Sequence, residues 1–244
     1  MKKEIAIIGY GRFGQCASHH LKKLFRVSVA DSRKIRNVVK GVSEISITAA
    51  ASKPIIILAV PINQTEALLK HIAPLLKPHT LVCDVCSVKE QPILWMKHQL
   101  PKHVSILGTH PLFGPDSAST NLRDRTIVLC PVRISKAQLR HIRTSLSSLG
   151  LKVILMTAQK HDRLMATTLF LTQCVGRGLL KMKLSPSTAI TQNTQFLHHL
   201  VETTKNDTEE LFRDMFQYNH FTSSIPNKLI SAFQQTRRSL MHKP

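Results

Sequence analysis

Ile5-Ala6-Ile7-Ile8-Gly9-Tyr10-Gly11-Arg12-Phe13-Gly14 is the stretch on which the fold turns. Four apolar residues read as a buried strand, and the Gly-x-Gly-x-x-Gly spacing behind them opens a helix. That is the context a dinucleotide fingerprint requires. Gly9 permits the tight turn, Gly11 lets the backbone approach a pyrophosphate, and Gly14 allows the helix to pack closely on the sheet. The unpaired N–H groups of the helix start, at Arg12 and Phe13, then face the phosphates. Asp31, ending the next apolar run about 20 residues on, is placed to bind the adenosine ribose hydroxyls and favours NAD. Ser32 and Arg33, with Lys34 behind them, could instead neutralise a 2'-phosphate, so NADP stays open. Ala59-Val60-Pro61 closes a further strand and belongs beside the cofactor, because ligands sit at the carboxyl ends of parallel strands.

The pattern continues outward from that motif. Strands are expected at Ile5–Ile8, Val27–Ala30, Ile55–Val60, Leu81–Asp84, Ser105–Leu107, Ile127–Leu129 and Val153–Met156, with helices at Phe13–Leu24, Gln64–Leu76, Gln91–Gln99 and Lys136–Leu149. Near-continuous Ile, Leu and Val in the strands implies burial on both faces, hence a mostly parallel, doubly wound Rossmann-like α/β sheet. After residue 157 the β-branched runs vanish and helical spacing persists, with breaks near Ser185-Pro186 and Ile225-Pro226. Two domains follow: a nucleotide-binding one over 1–157 and an all-helical one over 158–244 for substrate binding and dimerisation. Leu164, Thr168, Leu171, Val175, Leu179 and Met182 would form one apolar stripe on a single helix.

Composition sets limits on function. Lys and Arg number 34 against 14 Asp and Glu, a net charge of +20. Such a field attracts anions. The basic residues are scattered in short pairs, however, and aromatic residues make up only 5%, so nucleic-acid binding is not expected. Five cysteines spread from Cys16 to Cys174 suggest no disulfide framework, and no secretory signal precedes the first strand. The expectation is a cytoplasmic protein. Cys83-x-x-Cys86 stands without a second ligand pair, so no metal is expected. No apolar run approaches the ~20 residues a bilayer span needs.

Two polar residues follow strands on the cofactor-bearing edge. Ser87 lies in Asp84-Val85-Cys86-Ser87-Val88-Lys89, where it also fits a capping box with Glu90. His110 lies in Gly108-Thr109-His110-Pro111-Leu112-Phe113-Gly114-Pro115, which reads as a Gly/Pro-fixed loop after the strand. A near-neutral imidazole suits proton transfer, and the Ser87 hydroxyl could hold either the imidazole or the oxygen that gives up its proton.

On these segments, together with His161-Asp162-Arg163, Phe170-Leu171-Thr172, Val175-Gly176-Arg177, Leu200-Val201-Glu202-x-Thr204 and Asp207, the chain resembles the arogenate/prephenate dehydrogenase family, in its plant-type arogenate branch. The resemblance implies an NAD(P)-dependent oxidative decarboxylation of a small-molecule substrate, arogenate or prephenate, by a homodimer. His110 and Ser87 would be catalytic, and Ser87, His110, Gln173 and Arg177 would bind substrate, with Arg213 a second candidate for its carboxylate. Gln173 stands where the family commonly has His, and Asp31 departs from the plant-type residue before Ser-Arg. At this length no fused mutase or regulatory domain is expected. A β-hydroxyacid dehydrogenase is the alternative, but Gly176-x-Gly178-x-x-Lys181 leads to Ser185 where that class has Asn. The other is a nucleotide-sensing protein that kept the fold and lost the activity.

Overall fold

A computed structural model describes residues 2–183 and 191–241 of the chain. It divides into two compact units, the first ending at His161 and the second beginning at Asp162.

The first unit is organised by an eight-stranded sheet. Its strands are β1 (Glu4–Ile8), β2 (Arg26–Ala30), β3 (Ser43–Glu44), β4 (Ile55–Leu58), β5 (Leu81–Asp84), β6 (Ser105–Pro111), β7 (Thr126–Arg133) and β8 (Lys152–Leu155). They lie in the order β3-β2-β1-β4-β5-β6-β7-β8, parallel everywhere except between β6 and β7. The connections are α1 (Arg12–Leu21), α2 (Ile47–Ala51), α3 (Ile62–Ile72), α4 (Glu90–Gln99) and α5 (Lys136–Ser148). The winding reverses between β1 and β4, which is where a doubly wound sheet opens a crevice at its strand ends.

Burial on both faces explains the apolar runs. Ile8, Ile56, Leu58, Val82, Ile106 and Val128 point into one core cluster, whereas Leu81, Cys83, Leu107, Ile127 and Leu129 point into another. Each such side chain contributes about 1.5–3 kcal/mol on burial, which is why the central strands are apolar on both faces until their carboxyl ends.

Three local expectations fail for identifiable reasons. His110 is not on a loop: β6 runs on to Pro111, with His110 opposite Val128 on antiparallel β7. Gly108, taken as a turn residue, is a packing glycine, because a Cβ there would lie 2.7 Å from Ile93 Cδ1 on α4. The capping box at Ser87 does not form either. α4 starts at Glu90 with Lys89 as its N-cap and no side-chain cap, because the Lys89 side chain is drawn into a buried ion pair described below. The sequence pattern does not predict β3 or α2; α2 is five residues long, with the Ser46 hydroxyl accepting from the Ala49 N–H.

α6 (Ala158–Met165) contains the boundary between the units. In the second unit a π-helical turn (Ala166–Phe170) separates it from α7 (Leu171–Met182), followed by α8 (Gln192–Lys205), α9 (Glu209–Gln217) and α10 (Ile225–Met241). The π turn inserts extra residues into the helical phase. The predicted stripe is therefore displaced: Leu164, Thr168 and Met182 are exposed, and the buried positions are Met165, Ala166, Phe170, Gln173 and Gly176. Phe170 stacks on Phe212 and Phe216, with ring centroids 5.2 and 5.9 Å apart. Gly176 lets α8 approach α7, since a Cβ there would lie 2.1 Å from Thr204 Oγ1. Pro226 falls in the first turn of α10, where its missing N–H costs nothing. The break expected at Ser185-Pro186, and Ser185 itself, lie outside the described residues.

Candidate active site

The glycine turn sits against the end of β4. Gly9 has φ +102, and a Cβ on it would come within 2.3 Å of the Ala59 carbonyl oxygen, so no other residue fits. Its N–H donates to Ala30 O at 2.8 Å, and the Ala59 N–H donates to Ile8 O at 2.7 Å. Turn, β2 end and Ala59-Val60-Pro61 are thereby joined, and Pro61 caps α3. Gly14 is equally constrained, 2.1 Å from Gly9 O for an added Cβ, whereas Gly11 has nothing within 4 Å. The empty space lies at the one glycine of the three that the fingerprint assigns to phosphate approach.

Asp31 closes the adenosine side. Its Oδ2 accepts the Tyr10 N–H at 2.7 Å, and its Oδ1 accepts the Arg33 N–H at 2.9 Å. Burial works against its charge. The two N–H groups and the Arg33 guanidinium outweigh that and hold the carboxyl below the usual carboxylate range. A cleft of about 550 Å³ opens here, lined by Tyr10, Gln15, Asp31, Arg33, Lys34 and Arg36 among others. Ser32, between Asp31 and Arg33, is exposed and is not among the residues lining the cleft. These residues fit a dinucleotide: the turn leaves room for a diphosphate, and the cleft has the size and polarity for a ribose. Arg12 reaches Asp116 at 2.5 Å and Phe13 packs near Phe113, with centroids 6.4 Å apart, so the helix start contacts the segment beyond β6.

His110 is buried on β6, and its Nδ1 lies 2.8 Å from Nε2 of His161. One of the two nitrogens must carry the proton. With the proton on His110 Nδ1, His161 accepts, and His110 Nε2 keeps its lone pair; Nε2 bonds to no other described residue. Burial first, then His161 and the Lys89 ammonium, hold this imidazole well below the ordinary histidine value. It is neutral at pH 7 and able to take a proton. Ser87 Oγ is buried and has no hydrogen-bond partner among the described residues. An unpartnered hydroxyl is expensive to bury, which makes it a group waiting for a ligand.

Beneath these residues, Lys89 and Asp84 form an ion pair with both side chains fully buried. Lys89 Nζ also donates to Thr109 O at 2.6 Å, while Asp84 accepts the N–H groups of Cys86 and Thr109 at 3.1 and 3.3 Å. Cys83 and Cys86 flank this pair. Burial, reinforced by Asp84, pushes both thiols up to about 12, so they stay protonated.

In the second unit, Gln173 Nε2 donates to Asp207 Oδ2 at 2.6 Å, and its Oε1 is buried with no partner among the described residues. Arg177 is committed within its own unit: it pairs with Glu209, donates to the carbonyls of Asp207 and Thr208, and lies 4.6 Å over the Phe212 ring. Arg213 is exposed on α9. His161 and Lys89 are the residues to which sequence reasoning gave no role. The only signal was their place in the segments His161-Asp162-Arg163 and Asp84–Lys89.

A turn built to admit a diphosphate, on the same sheet as a base kept neutral, puts the chain in the class of dinucleotide-dependent oxidoreductases. Residues 27–155 match the family described as prephenate dehydrogenase, nucleotide-binding domain, and residues 178–244 match one described as TYRAAT1-like, C-terminal domain. Arogenate dehydrogenase 2, chloroplastic, of Arabidopsis thaliana is 31% identical over 97% of this chain and 70% of its own length. Arogenate dehydrogenase 1, chloroplastic, of the same plant is 30% identical over 97% of this chain, which spans only 39% of that relative. The crystal structure of prephenate dehydrogenase from A. aeolicus, in complex with hydroxyphenyl propionate and NAD+, superposes with a TM-score of 0.74 over 99% of this chain and 90% of that one; at 18% identity it speaks to the fold alone. The chain belongs to the arogenate/prephenate dehydrogenase family.

Proposed function

We propose that the chain catalyses the NAD(P)-dependent oxidative decarboxylation of arogenate to tyrosine, or of prephenate to 4-hydroxyphenylpyruvate. The observation that carries this reading is His110, buried, neutral and bonded through Nδ1 to His161, with its other nitrogen turned to no protein group. Such a base takes the hydroxyl proton of the ring alcohol at Nε2 as the carbon–oxygen bond becomes a carbonyl. The same alcohol carbon loses hydride, and release of CO2 makes the ring aromatic. A bound nicotinamide dinucleotide supplies the hydride acceptor. Ser87 Oγ, short of a partner, holds the reacting oxygen. His161, accepting from Nδ1, fixes the tautomer that leaves Nε2 of His110 free to take the proton.

NAD is the proposed cofactor, with NADP the competitor. The ionised Asp31 repels a 2'-phosphate, against the attraction of Arg33, Lys34 and Arg36 around the same cleft. Gln173 is proposed as a substrate contact on the strength of its unpartnered oxygen. Arg177 keeps that role only if substrate draws it from Glu209.

The proposed assembly is a homodimer through the helical unit, supported by exposed Leu164, Met182, Phe196, Ile230 and Phe233. No described helix is long and apolar enough to cross a membrane. All five cysteines are free thiols, which supports a reducing compartment, the cytoplasm being the proposal. Absorbance of NADH and NADPH, followed with each of the two substrates, tests the activity. Silence in all four combinations refutes it, and a monomer in sedimentation refutes the dimer.

A further inference from the structure

Lys89 is a buried cation for which the proposed reaction has no direct use. Its side chain is 0% exposed, as is that of Asp84. Burying two charges is costly, and well-packed apolar residues of the same size often serve stability as well or better. A pair kept in such a place invites a reason beyond holding the fold.

The reason is suggested by what the pair grips. Lys89 Nζ donates to the Thr109 carbonyl, which belongs to the peptide bond leading into His110. Asp84 accepts the Thr109 N–H on the other side of that residue, and the Thr109 hydroxyl donates back to the Asp84 carbonyl at 2.5 Å. Asp84 also accepts the Cys86 N–H, one residue before Ser87. Lys89 itself is the N-cap of α4. Three bonds therefore hold the strand carrying His110, and the pair's own ends hold the turn carrying Ser87. We propose that Lys89 is a positioning residue, whose ammonium, locked between Asp84 and the Thr109 carbonyl, fixes the His110 peptide against the Ser87 turn.

The charge has a second effect on the same imidazole. The titratable groups that act on His110 are His161 from α6 and Lys89 at the head of α4, the latter paired with Asp84 at the end of β5; β7 offers Val128 opposite it. Among these, His161 and Lys89 both oppose a positive charge on His110. Lys89 thus sets the position of the base and helps to keep it unprotonated. Since the inference rests on His110 as the base, its test includes a measurement that does not depend on turnover.

Lys89→Met removes the ammonium at similar length but strands the Asp84 carboxylate. The variant D84N/K89M removes both charges and serves as the second probe. In folded protein, the His110 ring signals followed by proton NMR should titrate about one pH unit higher in Lys89→Met than in the wild type. In D84N/K89M, kcat should fall at least tenfold with the KM for cofactor unchanged, because the cofactor cleft is untouched. Wild-type kcat in folded D84N/K89M, or an unmoved His110 titration in folded Lys89→Met, overturns the inference. So does failure of both variants to fold, which would make the pair a folding element. If the wild type itself shows no dehydrogenase activity, the NMR shift still decides the role of Lys89, and only the proposed reaction is lost.

Discussion

Replacing Gly14 and Gly11 separately by Ala should split folding from cofactor binding. A Cβ at Gly14 would sit 2.1 Å from Gly9 O and 3.1 Å from Gly9 C, both backbone atoms that cannot rotate away. Either α1 or the turn must move by about an ångström, and overpacking of this kind costs about 1–3 kcal/mol. Ala returns about 0.5–1 kcal/mol of that through its better helix propensity. At the middle of both ranges the net loss is about 1.3 kcal/mol, which lowers the melting temperature of a unit this size by roughly 2–5 °C. Gly11 differs, because nothing lies within 4 Å of its added Cβ and its φ is −69. Gly11→Ala should melt within about 2 °C of the wild type, since Gly and Ala differ modestly as caps. Its methyl group nevertheless occupies the approach of the diphosphate, and dinucleotide Kd should rise at least ~10-fold, or about 1.4 kcal/mol. Calorimetric melting with isothermal titration of NAD reads both quantities. Unchanged melting of Gly14→Ala, or unchanged Kd for Gly11→Ala, would refute the reading of this turn.

Three further outcomes are expected. Ser87→Ala should lower kcat by roughly 10- to 100-fold with little change in melting, as Ser87 Oγ makes no hydrogen bond among the described residues; a large loss of stability with normal kcat would make Ser87 structural. Because His110 is held well below its ordinary value, the unfolded chain binds the extra proton first as pH drops below about 6.5. Stability is therefore complete above that pH and declines from there down to the folded value, a slope that calorimetry should find reduced in His110→Gln. Asp31→Asn should improve the NADP/NAD ratio of kcat/KM by about 10-fold or more by removing the like charge, and an unchanged ratio would shift the preference to Arg33, Lys34 and Arg36.

How much of this was legible in the sequence depends on whether the decisive contact is local. The turn at Gly9 was readable because a tight turn and close helix packing constrain six consecutive residues. Asp31 was readable for the same reason, by its fixed distance from that turn. His110 was found as a residue but misplaced, because β7 returns antiparallel and extends β6 past Gly108, whose lack of a side chain answers to Ile93 on α4. Ser87 drew a false capping box, since no local rule reveals that Lys89 turns inward to Asp84. His161 is 51 residues from its partner, a separation that periodicity cannot bridge. The apolar stripe after Leu164 was lost to the π turn, which shifts the phase that helical spacing assumes.

The proposed reaction stands or falls with His110 as its base. Turnover of arogenate and prephenate by the His110→Asn variant, measured beside its Kd for NAD, tests it most directly. Its kcat should fall by about 10² to 10⁴ with Kd unchanged, since His110 lies on β6 and the glycine turn follows β1. Wild-type turnover in that variant would contradict it.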